Sequence, residues 1–290
     1  MNPAAADFRL TRRVLLALDS SLPTSLALAE AVRLARRLDA ELTALFVEDA
    51  NLLTIAELAF ARHIDLLSGG SEPVDRAMME ARLRARAAQS RRAVAAVAER
   101  AGLRWSFRIV RGRIAETVIA AAGDHDLLLI GWTARATEQG RLARVRLHRR
   151  PRGQVSSLIR EIAMASGRPV MLLRGGEILD RPVAVVFDGS PGAPHALAAA
   201  AALAAIARQK LVVLIAGAAD LAERAAALLG ETGLTDVAYR ALRDVTVEGI
   251  CAARARAEAG VVVLDADSAV LAGDDGSPLA GFACPVMLTR

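Results

Sequence analysis

The sequence predicts an α/β fold made of two tandem open parallel sheets, each with five strands and with helices on both faces. Three observations favour this fold. The chain has 290 residues, of which 54% are hydrophobic, enough for two domains at roughly 150 residues each. Short apolar runs alternate with Ala/Leu-rich helical stretches along most of the chain. The segment Pro-Val-Met-Leu at residues 169–172 recurs letter for letter at residues 285–288, which indicates a duplication.

The two copies share their ends and differ in length between them. Asp19 and Asp188 each follow a short apolar run and precede a helical stretch, and the repeated Pro-Val-Met-Leu closes each copy. The stretch from the aspartate to the final proline is 53 residues longer in the first copy than in the second. We therefore expect a first domain over residues 1–178 and a trimmed second domain over residues 179–290, joined by a short linker.

Each element of the first copy has its own signal. Continuous apolar runs predict strands buried on both faces, and they lie at residues 14–18, 42–47, 126–130 and 170–173. Alternation at residues 104–110 predicts one more strand. Apolar positions at helical spacing follow the first strand, and further helices are expected near residues 114–121 and 155–165. A long arm, residues 48–101, contains an apolar piece at 52–67 and an Arg-rich helix at about 74–100.

The second copy repeats this order without the arm. Its strands are expected at residues 183–187, 211–215, 237–241, 261–264 and 286–288. Its helices are expected at residues 196–208 and 247–257. The alternation of strand and helix is typical of a parallel sheet that is covered on both faces.

Composition excludes several classes of protein. Aromatic residues number only nine, which disfavours an RNA-binding surface of stacked rings. The longest apolar run, residues 196–207, is shorter than the ~20 residues of a spanning helix, so no membrane segment is expected. The first residues lack the basic start and apolar stretch of a signal peptide. We therefore expect a cytoplasmic protein.

Candidate catalytic and metal motifs are weak. Cys251 and Cys284 have no ligand-like spacing to each other or to the four histidines, so we predict neither a disulfide framework nor a metal site. The turn from Asp188 to Gly192 lacks the Gly-x-Ser-x-Gly pattern of a nucleophile elbow, and a capping turn is the preferred interpretation. The chain has no Walker glycine–lysine motif. These observations favour a non-enzymatic protein.

Four segments together resemble the universal stress protein family in its tandem form. They are Asp19 after the first strand, Leu-Phe-Val-Glu at residues 45–48, Asp-Leu-Leu-Leu-Ile-Gly at residues 126–131 and Arg-Pro-Val-Met-Leu at residues 168–172. The resemblance implies a universal-stress-protein/flavodoxin-like topology. It also implies that the two domains form a pseudo-dimer through their strand-five edges, a pairing that satisfies edge groups otherwise open to aggregation.

Nucleotide-binding members of this family carry Gly-x2-Gly-x9-Gly-Ser/Thr after strand four. Glycines let backbone N–H groups approach phosphates, and a hydroxyl at a helix N-terminus adds a donor. This chain departs from the pattern: Ala134 replaces the second glycine, Gln154 replaces the hydroxyl residue, and 18 residues separate Ala134 from Gly153. In the second copy Asp265 and Asp267 stand at the first part of the motif, where they would repel phosphate.

The resemblance nevertheless implies a set of positions for ATP or a related adenine nucleotide in domain one. Those toward adenine and ribose are Asp19 and Val47, and those toward the phosphates are Ile130, Gly131, Gly153, Gln154 and Val155. The alternative assigns Asp19 to a helix cap and the glycines to ordinary turns and caps. Both interpretations stay open at this point.

Charge is concentrated in the segment 132–152. It holds seven arginines against Glu138 alone, whereas the whole chain has a net charge of only +5. One interpretation is a solvated loop. The other is an anion-binding flap beside the phosphate position, with bidentate donors from Arg144, Arg146, Arg149 and Arg150.

Our main hypothesis is a non-enzymatic stress-response regulatory protein that binds a protein partner and takes up an adenine nucleotide in domain one. A nucleotide-hydrolysing or nucleotidyl-transfer enzyme is the first alternative. An anion or nucleic-acid binder acting through the arginine loop is the second, with nucleic acid the disfavoured partner. A homodimer stays open.

Overall fold

In a computed structural model of the chain, the described residues are 11–18, 25–51, 54, 62–64, 71–73, 76–131, 152–174, 178–218, 220–230, 232–271 and 278–290. Of residues 25, 62–64, 71–73 and 152–157 only the backbone is described.

The described residues form strands and helices that alternate. The strands are β1 (Arg13–Leu18), β2 (Glu41–Asp49), β3 (Arg62–Ile64), β4 (Ser71–Pro73), β5 (Trp105–Gly112), β6 (Leu127–Gly131), β7 (Val170–Leu173), β8 (Val183–Phe187), β9 (Leu211–Ile215), β10 (Val237–Ala241), β11 (Val261–Asp265) and β12 (Val286–Thr289). The α-helices are α1 (Ser25–Arg37), α2 (Arg76–Ala98), α3 (Ile114–Ala122), α4 (Arg152–Ser166), α5 (Ala193–Ala207), α6 (Asp220–Gly230), α7 (Val247–Arg256) and α8 (Pro278–Gly281).

Ten of these strands form one continuous sheet, in the order β10-β9-β8-β11-β12-β7-β6-β1-β2-β5. We call β1, β2, β5, β6 and β7 with their helices the first half, and β8 to β12 with theirs the second half. Within each half neighbouring strands are parallel. When the five strands of each half are numbered in chain order, both halves have the same spatial order, 3-2-1-4-5. The predicted α/β class with a largely parallel sheet is confirmed.

The two halves meet at the repeated Pro-Val-Met-Leu segments. Strands β7 and β12 are antiparallel, and Met171 lies directly opposite Met287 between the flanking pairs Val170–Leu288 and Leu172–Val286. Each strand would otherwise present an unpaired edge. The junction therefore gives the chain an approximate two-fold axis through the centre of the sheet.

Helices cover both faces of the sheet. Buried residues of α1, α2, α5 and α6 pack on one face, and those of α3, α4, α7 and α8 pack on the other. The Ala-rich α5 is buried on nearly all sides, because alanine lets the helix lie close to the strands and its neighbours. Apolar strands such as β8 and β11 are fully buried, as expected of parallel strands under two helical layers.

Several boundaries differ from the sequence-based expectation. Helix α6 (Asp220–Gly230) was not predicted, although Asp220 and Glu223 in its first turn favour a helix start. Helix α5 begins at Ala193 instead of residue 196, because Pro194 fits the first turn of a helix. In the arm, β3 lies within the apolar piece at residues 52–67 and pairs antiparallel with β4, which lies just beyond it. Neither of these two strands was predicted.

Candidate functional site

The carboxyl end of β1 is the point where the first half reverses its strand order. Strand β1 pairs with β2 on one side and with β6 on the other, so the connections leave β1 and β6 in opposite directions. In open α/β sheets, ligands bind in the crevice at such a point. The crevice of the first half therefore lies at the ends of β1 and β6.

Val47 and Ile130 lie on the same face of the sheet near this edge. Ala17 pairs with Leu45 of β2 and with Ile130 of β6, and Val47 is two residues beyond Leu45 on the same side. Val47 is 1% exposed, and Ile130 is half-buried against the same apolar cluster. The structure therefore brings these two predicted residues to one apolar surface, which suits a base or ribose better than a phosphate.

Gly131 and the segment from Gly153 to Val155 border the same edge. Gly131 is the last residue of β6 and pairs with Leu173 of β7. Helix α4 begins at Arg152, so Gly153, Gln154 and Val155 form its first turn. The first N–H groups of a helix have no partner within the helix, and the predicted phosphate contacts fall on such groups.

Other predicted residues lie outside the described part of the chain. They are Asp19 and the loop residues Arg144, Arg146, Arg149 and Arg150. Their roles stay predictions.

Carboxylates at the end of β2 are already engaged. Glu48, 8% exposed, accepts from Arg111 of β5 at 3.1 Å, and Arg111 also contacts Glu80 of α2 at 3.5 Å. The Asp49 carboxylate accepts from the Asn51 N–H at 3.0 Å. Sequence reasoning missed this network, since Arg111 and Glu48 are 63 residues apart and only the β2–β5 register brings them together.

The equivalent edge of the second half is built differently. Val14 pairs with Leu127, and Val183 pairs with Val261, so the ends of β6 and β11 are equivalent positions. Gly131 stands at one and Asp265 at the other. Gly131 has no side chain and presents only backbone atoms to its crevice, whereas Asp265 places a carboxylate in the equivalent crevice.

Asp265 fills the second crevice. Its side chain is buried, at 6% exposure; its Oδ1 accepts from the Asp267 N–H at 3.1 Å, and its Oδ2 lies 3.4 Å from the Ser190 hydroxyl. A Cβ added to Gly192 would lie 2.2 Å from Asp265 Oδ2. Gly192 is thus required by the carboxylate packed against it, at the start of α5.

The turn that contacts Asp265 also depends on glycine. Gly189 has φ +77°, a conformation that side chains with a Cβ rarely adopt. The Asp188 carboxylate accepts from the Ser190 N–H at 2.9 Å, which closes the turn. As predicted from the sequence, this segment is a turn leading into a helix.

Helix α4 connects the two edges. It begins at the first crevice, and Arg160, two turns later, donates to the Ala266 carbonyl at 3.1 Å and reaches Asp267 at 3.4 Å. Asp267, which we expected to repel phosphate, is therefore partly neutralised by an arginine of the first half. The first-half helix is anchored directly beside the occupied crevice of the second half.

A family comparison agrees with this architecture. The model of the universal stress protein family matches residues 11–157, about half of the chain. This chain belongs to the universal stress protein family. The match spans β1 to the start of α4, including both borders of the first crevice, and the second half repeats the same strand order.

Two solved structures share the fold over nearly the full length of the chain. A universal stress protein from Archaeoglobus fulgidus DSM 4304 is 16% identical, with 98% of each chain covered and a TM-score of 0.68. A protein of unknown function from Pseudomonas aeruginosa PAO1 is also 16% identical, with 97% of this chain and 93% of that chain covered and a TM-score of 0.57. A search of curated proteins gives no match. These likenesses establish the tandem fold.

Two further properties concern the described residues of this family member. Within them, no group of three or more His, Cys, Asp or Glu side chains is arranged to hold a metal ion. None of the helices in that part of the chain has the length and apolarity needed to cross a membrane.

Proposed function

We propose that this universal stress protein is a regulatory protein of the stress response that binds an adenine nucleotide in its first half. One observation carries the proposal: the equivalent strand ends are Gly131 in the first half and Asp265 in the second. Gly131 leaves the crevice of the first half open to an anion, whereas the buried carboxylate of Asp265 occupies the crevice of the second half.

The geometry of the first crevice supports this ligand. The half-buried Ile130 offers an apolar contact on one side of the strand ends, and the buried Val47 lies behind it on the same face of the sheet. The first turn of α4, from Arg152, presents N–H groups and the positive end of a helix dipole, which favour phosphate. An adenine nucleotide combines an apolar base with a phosphate tail, and so matches both features.

The second half is expected to bind no nucleotide. The Ser190 hydroxyl and the Asp267 N–H, which would otherwise be available to phosphate oxygens, are directed to the Asp265 carboxylate. A phosphate entering this crevice would meet a buried negative charge. The proposal is therefore one nucleotide per chain.

A regulatory role is favoured over the enzymatic alternative. The described carboxylates nearest to the first crevice, Glu48 and Asp49, are held by Arg111 and by the Asn51 N–H. His125 precedes β6, at the opposite edge of the sheet, where its Nδ1 is 2.7 Å from the Ala121 carbonyl. None of these groups is placed as a general base for the bound phosphates.

Calorimetry on the full chain tests the site with a matched pair of variants. Gly131→Asp gives the first half the residue of the second, and Asp265→Gly does the reverse. We expect wild type to bind ATP with a stoichiometry of one, Gly131→Asp to lose at least tenfold in affinity, and Asp265→Gly to retain the first site. Thermal unfolding of each variant without ligand controls for folding.

Two results would contradict the proposal. Unchanged ATP affinity in Gly131→Asp would remove the nucleotide from the first crevice. Steady release of inorganic phosphate from ATP by wild type, abolished in Gly131→Asp, would replace the regulatory role with the enzymatic alternative.

A further inference from the structure

Helix α2 (Arg76–Ala98) carries the most concentrated exposed charge among the described residues. It has 23 residues, or about 35 Å at 1.5 Å per residue. Its buried side packs on α1, β2 and β5 and contains Leu83, Ala87, Ser90, Val94 and Ala98. Between Ala81 and Ala98 the sequence has no acidic residue.

Five arginines of α2 are exposed and have no partner among the residues that the structure describes. They are Arg82, Arg84, Arg86, Arg91 and Arg92, and within the described part of the chain none of them makes an ion pair or hydrogen bond. The acidic residue at the start of the helix, Glu80, is already shared by Arg76 and Arg111, at 3.3 and 3.5 Å. Among the described residues, nothing compensates the positive charge of the rest of the helix.

This arrangement costs free energy in the isolated protein. Like charges four residues apart on a helix, such as Arg82 and Arg86, repel by about 0.2–0.5 kcal/mol. Surfaces of soluble proteins usually intersperse both signs of charge. A bound polyanion would convert this repulsion into attraction at every arginine.

The arginines surround the exposed side of the helix. At 100° per residue, Arg84 and Arg91 lie on one flank of the buried stripe, Arg82 and Arg86 on the other, and Arg92 opposite it. The exposed positions between them are alanines, at Ala81, Ala85, Ala88 and Ala96, and the uncharged Gln89. Guanidinium groups on two flanks would reach two parallel lines of charge on either side of the helix.

These features select the partner. Membrane-surface helices insert large apolar side chains, but the apolar side of α2 is buried in the core and its exposed small residues are alanines. Single-stranded nucleic acid is held by aromatic stacking, and α2 contains no aromatic residue. Duplex nucleic acid offers two regular lines of phosphates at one charge per about 1.7 Å, and its major groove admits a helix.

We propose that the exposed face of α2 binds the phosphate backbone of duplex nucleic acid without sequence preference. The α2 face uses none of the residues assigned to the nucleotide site and none of the residues of loop 132–152. It is independent of nucleotide binding.

The test compares two triple variants with the same change in net charge. Arg84→Gln/Arg86→Gln/Arg92→Gln removes one charge from each side of α2 and keeps good helix formers. The control, Arg208→Gln/Arg243→Gln/Arg256→Gln, removes three exposed arginines of the second half. Fluorescence anisotropy measures the affinity of the full chain for a labelled DNA duplex of random sequence, at salt concentrations between about 50 and 200 mM. Circular dichroism checks that the variants keep their helix content.

We expect wild type to bind the duplex with affinity that falls steeply with salt. Loss of three phosphate contacts would make the slope of log K against log salt about 2.7 less negative, and would weaken binding on the order of 10²-fold at about 0.1 M salt. The control would stay within about threefold of wild type.

Several outcomes would overturn the proposal. They include no duplex binding by wild type, equal losses in both variants, and tighter binding to a single strand or to vesicles with anionic lipid than to the duplex. Binding that is unaffected by the α2 variant but abolished by Arg144→Ser/Arg146→Ser/Arg149→Ser/Arg150→Ser would assign the contact to the loop instead.

Discussion

Met171 and Met287 lie directly opposite each other across the antiparallel β7–β12 pair, and both are fully buried. They occupy the same position in the two copies of Pro-Val-Met-Leu, and both belong to the apolar cluster beneath α1 and α5. Their contact joins the cores of the two halves into one. Stability of the whole chain should therefore depend on this pair.

Truncation of either methionine should destabilise the protein strongly. Met287→Ala removes buried volume at the junction, and we expect a loss of about 2–5 kcal/mol in the free energy of unfolding. The double variant Met171→Ala/Met287→Ala should lose less than the sum of the single losses, because the two side chains share one site. Urea denaturation measures both, with the exposed Leu26→Ala as control. Strict additivity would show that the two side chains do not interact.

Gly192 should be replaceable only when Asp265 is shortened. A Cβ at Gly192 would clash with the Asp265 carboxylate, so Gly192→Ala should cost about 1–3 kcal/mol, as overpacking does. Gly192→Ala in an Asp265→Gly background should cost much less. Thermal unfolding of the four proteins completes the cycle. An equal cost of Gly192→Ala in both backgrounds would locate the strain elsewhere.

The two cysteines should differ in reactivity. Burial raises the pKa of the Cys284 thiol to about 11, so only about 0.1% of it is thiolate at pH 8. Cys251 is half-buried. We expect a thiol reagent at pH 8 to modify one cysteine rapidly in the folded protein and two in urea. Cys251→Ser should abolish the rapid phase, whereas a rapid phase that persists in this variant would contradict the assignment.

Glu30 should make stability depend on pH. Burial, opposed by Arg33 and aided by the charge of Asp180, raises the pKa of Glu30 above its ordinary value of 4.5. As pH rises above 4.5, Glu30 loses its proton in the unfolded chain before it does so in the folded protein. Rising pH therefore favours unfolding until the folded Glu30 has also ionised. The stability of wild type relative to Glu30→Gln should therefore fall as pH rises from about 4.5 toward neutrality.

Asp180→Asn provides the control for Glu30. It removes a nearby negative charge that helps to raise the Glu30 pKa, so the pH dependence should become shallower. Denaturant titrations at several pH values measure both effects. A stability difference between wild type and Glu30→Gln that is constant or grows with pH would refute the assignment.

The class of fold, the duplication and most strand positions could be predicted from the amino-acid sequence alone. Buried parallel strands read as unbroken apolar runs, as in Val183–Phe187 and Leu211–Ile215, and these were predicted to the residue. Local patterns of this kind depend only on neighbouring residues. Helix α6 was not predicted because its Ala-rich pattern is short, and the predicted α5 omitted the first turn, which contains Pro194.

The contacts between side chains that are distant in the sequence could not be predicted, because they depend on how the strands and helices pack. Glu48 contacts Arg111 because of the register of β2 and β5. Asp265 lies against Gly192 because two strand ends and the start of a helix converge. Five arginines of α2 have no partner within the described part of the chain, because Glu80, the acidic residue of this helix, is paired with Arg76 and Arg111. Sequence reasoning treated Asp265 as a charge that repels phosphate. The fold shows that its carboxylate fills the crevice, because residues distant in the chain enclose it there.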